Sequence, residues 1–213
     1  MTEPALGART ALELADWRRR VASLYAAVRA EADPRTAHEL WRRGRDTLFA
    51  EHPQSALRAD DPLRSTGLPL WPYDPAYRFE LPVLAPPDPD RVLELPSGET
   101  GITTLRPVGV VELPDPVGAT VTVWWLEQYA GGLFLPLRDG TAGVESYGGG
   151  RYLLDTAKGA DLGAAPGREG DRLVVDLNFL YHPSCRYDDA WLCPLAPPDN
   201  TVPARVEAGE RMR

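Results

Sequence analysis

The chain has 213 residues, 43% hydrophobic and 25% charged, with a formal net charge of -8. This is the composition of a globular protein with ample material for a core, and its acidic balance argues against a nucleic-acid partner. No apolar run approaches the ~18 residues of a membrane span, and Met1-Thr2-Glu3-Pro4 has neither the basic nor the apolar segment of a secretory signal. Two cysteines without an export signal point to a cytoplasmic chain whose thiols, Cys185 and Cys193, stay free. The 22 prolines and 19 glycines call for many turns and short strands.

Residues 1–9 read as a flexible lead. Thr10-Ala11-Leu12-Glu13 has the spacing of a capping box, in which each side chain bonds the other's free amide. Leu14, Trp17, Val21, Leu24, Tyr25 and Val28 follow as one apolar helical stripe, with Arg18, Arg19 and Arg20 mostly off it. Asp33-Pro34 predicts a second helix, Asp as N-cap and Pro in the first turn. Leu40, Trp41, Leu48 and Phe49 give it a face, and His52-Pro53 ends it. A helical hairpin over 10–52 must therefore lie on something else.

From residue 53 to 203 the reading is β. Leu68 to Tyr73 is extended chain pinned by apolar anchors. Strands are expected at 77–83, 92–95, 103–113, 121–126, 133–137, 144–147, 151–154 and 173–179, with a turn at 97–99 and a hairpin at Gly131-Gly132. Trp124-Trp125 puts one indole inward and one outward, the outer one expected beneath the helices. Short antiparallel strands in this number give a mainly β (α+β) fold, a sandwich or barrel carrying the hairpin, as one domain over 10–203. Residues 204–213 read as a frayed tail.

The densest chemistry lies between Asp176 and Asn200. Asp176 and Asn178, two apart on the expected strand, share a face. The strand runs into a proline-stiffened loop carrying Tyr181, His182, Ser184, Cys185 and Arg186, where scaffold hands over to loop. If the meander pairs sequential strands, Arg151 and Tyr147 stand beside Asp176, with Arg151 in reach of that carboxylate or of a bound anion. A structural role for each is the alternative: Arg151 and Asp176 as a buried ion pair, His182 as a loop hydrogen-bonder, the cysteines as small apolar residues. Asp139-Gly140-Thr141-Ala142-Gly143 is read as a plain turn rather than an anion cradle, since it has neither the Gly spacing nor the Lys of a P-loop. Two cysteines and one nearby histidine fall short of a zinc set, so no metal is expected.

Several blocks resemble a bacterial and archaeal family known only as a domain of unknown function, DUF1684. They begin at Trp41 to Phe49 and His52 to Leu57, continue through Asp139 to Tyr147 and Gly150 to Leu153, and close with Asp176-Leu177-Asn178, Tyr181 to Cys185, Cys193 to Asn200 and Glu207-Ala208-Gly209-Glu210. The family usually has Asn before the first proline of the cysteine loop, where this chain has His182, and a Pro-Pro pair where it has Pro183-Ser184. The resemblance implies a single domain and brings no activity with it.

Two functions follow from the residues. In the first, a small-molecule enzyme performs metal-free, cofactor-free acid–base chemistry, hydrolysis or elimination of an anionic leaving group. Arg151 and Arg186 would hold the anion, Asp176 or His182 would move the proton, and Tyr147, Asn178, Tyr181 and Cys185 would line the substrate. In the second, the same residues make a non-catalytic module that binds a small acid or a peptide. A flavin-binding barrel has no signature here. Whether a protein partner exists is open at this stage.

Overall fold

A computed structural model describes residues 7–97, 101–165 and 172–212. Two long helices come first, α1 (Ala8–Ala30) and α2 (Pro34–Glu51), followed by one turn of helix, α3 (Leu63–Thr66). Asp33 caps α2 as its sequence predicts, accepting the Thr36 amide at 2.8 Å, and His52 ends it. The capping box at Thr10 does not form. Helix α1 begins two residues earlier, after Gly7, without a side-chain cap. Glu13 is drawn instead to Arg9 and Gln54, each at 2.8 Å.

Eight strands follow: β1 (Arg78–Leu81), β2 (Leu93–Ser97), β3 (Gly101–Leu113), β4 (Ala119–Leu126), β5 (Leu133–Leu137), β6 (Arg151–Asp155), β7 (Ala164–Ala165) and β8 (Arg172–Asp176). They form two antiparallel sheets, β2-β3-β4-β5-β6 and β1-β8-β7, which pack on each other and do not close into a barrel. A bulge in β3 at Pro107 to Gly109 lets Leu84, past the end of β1, bridge to Val110 and tie the sheets together. Gly109 permits this approach, because a Cβ there would stand 2.7 Å from the Leu84 carbonyl oxygen. The turn expected at 97–99 falls largely outside the described residues.

The helical hairpin lies on the sheets through Tyr25, Val28, Ala37 and Trp41, which share one buried cluster with Val175 of β8 and Phe179. Trp41 is fully buried, its ring 5.1 Å from that of Phe179, and its indole N–H donates to the Tyr25 hydroxyl at 3.1 Å. Trp124 points inward and donates to Asn200 Oδ1 at 2.7 Å. Trp125 points outward but does not lie under the helices. It stays partly exposed against the Gly131 turn.

Three further expectations fail. Residues 144–147 are not a strand, because the Thr141 carbonyl gathers the amides of Val144, Glu145 and Ser146 into a tight loop. The last strand stops at Asp176, whose side chain accepts the Asn178 amide at 3.1 Å and starts a 3-10 turn over Leu177–Phe179. The tail is not frayed. Val206 and Ala208 are fully buried, and the segment is clamped by the bonds Glu210 N–H to Leu180 O (2.7 Å) and Trp71 N–H to Gly209 O (3.0 Å). Gly209 has φ +78, and a Cβ there would also collide with Leu180.

Candidate functional site

The 3-10 turn after Asp176 decides the geometry of the site. It swings the chain out of the three-stranded sheet, so that Tyr181 pairs with Tyr152 at the edge of β6 (2.8 and 3.0 Å) while Asp176 stays behind on β8. The residues expected in one pocket are therefore divided among a cleft, a small cavity, an open depression and the core.

Asp176 lines the cleft, of about 260 Å³, between the α1–α2 corner and the three-stranded sheet. Arg29, Glu31, Arg78 and Phe179 are among its walls. Asp176 Oδ1 accepts both the backbone amide and the side-chain amide of Asn178, at 3.1 and 2.8 Å. Oδ2 lies 3.5 Å from the Tyr73 hydroxyl and 3.9 Å from Arg78 Nε. Burial pushes the Asp176 carboxyl up to about 6, against the pull of Asn178 and Arg78. Burial also pushes Tyr73 up to about 12, with the Asp176 charge adding to it. Asn178 is a brace: it also accepts the Asp74 amide (2.9 Å) and donates to the Asp74 carbonyl (2.8 Å).

Arg151 does not meet Asp176. It is fully buried, and its guanidinium donates to Asp139 Oδ1 (3.2 Å) and to the carbonyls of Val206 (3.0 Å), Ala208 and Glu210 (3.0 Å), with Trp71 stacked at 5.1 Å. Asp139 completes the clasp by accepting from Thr141 and from the Val206 amide (2.7 Å). An arginine with four protein acceptors holds the C-terminal segment in place and has little left for a ligand. The amides of Gly140, Ala142 and Gly143 likewise all go to protein carbonyls, as in a plain turn.

His182 is held by the protein through one ring nitrogen. Its Nε2 accepts the Tyr147 amide at 3.2 Å, which leaves the ring proton on Nδ1, 3.7 Å from Glu210 Oε2. Burial, then the charges of Arg151, Arg186 and Arg45, holds the imidazole well below its ordinary pKa. Glu210 is the hub of this region. It accepts both Arg45 donors (2.9 and 2.5 Å), the His182 amide (2.7 Å) and the Tyr187 hydroxyl (3.1 Å). Sequence reading left Glu210 in the tail, although it closes one of the blocks that carried the family resemblance.

Arg186 borders an open depression of about 470 Å³ with Arg211 and Asp61, away from Asp176. Tyr181 borders a small cavity of about 70 Å³ with Asp155, Lys158, His182 and Cys193. Cys185 lies beside it, its Sγ 3.9 Å from the Tyr147 hydroxyl. Both cysteines are free thiols. Among the described residues, no group of three or more His, Cys, Asp or Glu side chains is placed to hold a metal ion. No helix among them is long and apolar enough to cross a membrane.

Residues 64–211 match the family described as "Protein of unknown function (DUF1684)". The chain belongs to this family. The match takes in Asp176, the cysteine loop and Glu210, and it leaves the helical hairpin outside. Among solved structures, an uncharacterized protein of Haloarcula marismortui, determined by NMR in solution, is similar to this DUF1684 protein. It has 29% identity and a TM-score of 0.58, over 83% of this chain and 93% of that one. No curated protein matches the sequence.

Sequence reading missed Arg29, Tyr73 and Arg78 around Asp176. Only Arg78 carried a signal, since it lies in the strand expected at 77–83, which could pair with the one expected at 173–179. Arg78 is in fact the register partner of Asp176.

Proposed function

We propose that this protein acts on a small anionic molecule in the cleft between the helical hairpin and the three-stranded sheet, by metal-free proton transfer at Asp176. The observation that carries this reading is a buried carboxyl raised to about 6 in the wall of a cleft that also presents Arg78 and Arg29. A group that titrates near neutrality can both give and take a proton. The guanidinium groups supply planar, paired donors for a carboxylate or phosphate. The reaction class is hydrolysis or elimination, with Asp176 moving the proton and Arg78 and Arg29 taking the anion-holding role expected of Arg151 and Arg186. The reduced cytoplasm suits a protein with two free thiols.

Non-catalytic binding of the same anion is the second reading. It is favoured by the place of His182, which lines the small cavity and the open depression and not the Asp176 cleft, so it is no second proton carrier there. A screen of small carboxylates and phosphate esters by thermal shift and by NMR separates the two. Anionic compounds should raise Tm and perturb residues around Asp176, and Arg78→Ala should abolish the effect. Asp176→Asn should retain binding and lose turnover if the protein is an enzyme. Hits confined to neutral or cationic compounds, or mapping away from the cleft, would refute both readings.

A further inference from the structure

The small cavity beside Tyr181 has a different chemistry from the Asp176 cleft. It is bounded by α1, β6 and the loop after Tyr181, with Tyr152, Asp155, Lys158, Tyr181, Ser184 and Cys193 in its wall. Cys193 lies in that wall with Lys158 and Ser184 while Cys185 lies just outside it, and the Cys185 thiol, the Cys185 and Ser184 amides and the Lys158 ammonium all act electrostatically on its sulfur. The Tyr152 hydroxyl donates to the Pro194 carbonyl, which fixes the chain just after Cys193. These influences favour the thiolate: the Cys185 thiol foremost, with the amides and Lys158, draws Cys193 below the ordinary thiol range against the opposing effect of burial. The same contact pushes Cys185 up, so the pair is asymmetric.

A second observation points to a ligand. Asp155 is 3% exposed and lies in the cavity wall. Its Oδ2 stands 3.2 Å from Lys158 Nζ, but its Oδ1 is buried with no hydrogen-bond partner. A buried carboxylate oxygen without a partner is costly, and an O–H entering beside this wall residue would relieve that cost. At about 70 Å³ the cavity admits a molecule of only a few heavy atoms.

We propose that Cys193 and Cys185 form a dithiol site that reduces small hydroperoxides, with Asp155 Oδ1 orienting the peroxide O–H. Cys193 thiolate attacks one peroxide oxygen. An S–O bond forms, the O–O bond breaks, and the leaving alkoxide or hydroxide takes a proton from water. Cys193 is then a sulfenic acid, and the peroxide has become an alcohol or water. The Cys185 thiol attacks that sulfur, the S–S bond forms, the S–O bond breaks, and the hydroxyl departs with the Cys185 proton as water. Two thiols are oxidised for each hydroperoxide reduced, and a small thiol regenerates the pair by exchange.

The test uses the full, pre-reduced chain and hydrogen peroxide, followed by stopped flow and time-resolved mass mapping. One Cys185–Cys193 link per peroxide consumed is expected, at a rate at least about tenfold that of the urea-unfolded chain. Thiolate fraction alone accounts for only a few-fold, because nucleophilicity falls with pKa. Cys185→Ser should stop at a sulfenic acid on Cys193 that dimedone traps. Asp155→Ala, checked for a native melting curve, should slow peroxide consumption while diamide still closes the disulfide. A folded-state rate no faster than the unfolded one overturns the proposal, as does dimedone labelling of Cys185 in place of Cys193. Because wild-type protein alone yields the rate and the link, a variant that fails to fold leaves the test intact. Neither measurement involves Asp176 or its cleft, so failure here is separate from failure of the proposed function.

Discussion

Replacing Asp176 by Asn should stabilise this protein at neutral pH, against the usual direction for a buried, hydrogen-bonded residue. The Asp176 carboxyl is 2% exposed and titrates at about 6 in the fold, against a reference of 3.8. Between those two values the native state binds a proton that the unfolded chain has released, so stability falls as pH rises from about 4 to about 6. Above that window the whole penalty is present, about 3 kcal/mol at about 1.36 kcal/mol per pKa unit. Asparagine keeps an acceptor for the Asn178 amides and carries no charge, so Asp176→Asn escapes the penalty. Urea denaturation of both proteins from pH 4 to 8 measures the effect. The stability difference should grow by about 2.5 kcal/mol in favour of the variant across that range, since part of the penalty is already present at pH 4. A difference that is flat with pH, or that grows the other way, would refute the claim that burial raises the Asp176 carboxyl. Such a residue, costly to the fold and placed in a cleft, is what a functional trade-off between stability and activity looks like.

Arg151→Ala leaves the Asp139 carboxylate buried without its cation and frees the C-terminal clasp. It should cost about 3–5 kcal/mol in equilibrium unfolding, whereas a ligand-binding arginine would leave Tm nearly unchanged. Truncation after Arg205 removes Val206, Ala208 and the Glu210 hub together. Circular dichroism should show loss of the cooperative melt, and a native-like melt would restore the picture of a frayed tail. His182, held neutral by burial and three arginines, should show imidazole NMR shifts that stay flat from pH 5.5 to 8. A midpoint inside that range would mean that the ring is free for proton transfer.

Local signals settled a good part of this structure in advance. The apolar stripes over Leu14 to Val28 and Leu40 to Phe49 and the Asp33-Pro34 cap specified the helical hairpin, because helical periodicity and capping act over a few residues. The β-branched and aromatic run at Val121 to Leu126 specified a strand with one indole inward, and the fold makes that one Trp124. What the sequence by itself did not determine was which polar groups meet. Arg151 and Asp176 both lie on strands, yet the Asp176 side chain starts a turn that moves the chain between sheets, so the partner of Arg151 is Asp139. Val206 to Glu210 has no periodic pattern to mark it as buried, and its place is fixed by long-range bonds to Leu180, Trp71 and Arg45. The cleft around Asp176 likewise exists only because the helical hairpin rests on the three-stranded sheet. Secondary structure followed from neighbours in sequence, whereas the site followed from contacts between residues up to 165 apart, which only the packed tertiary structure decides.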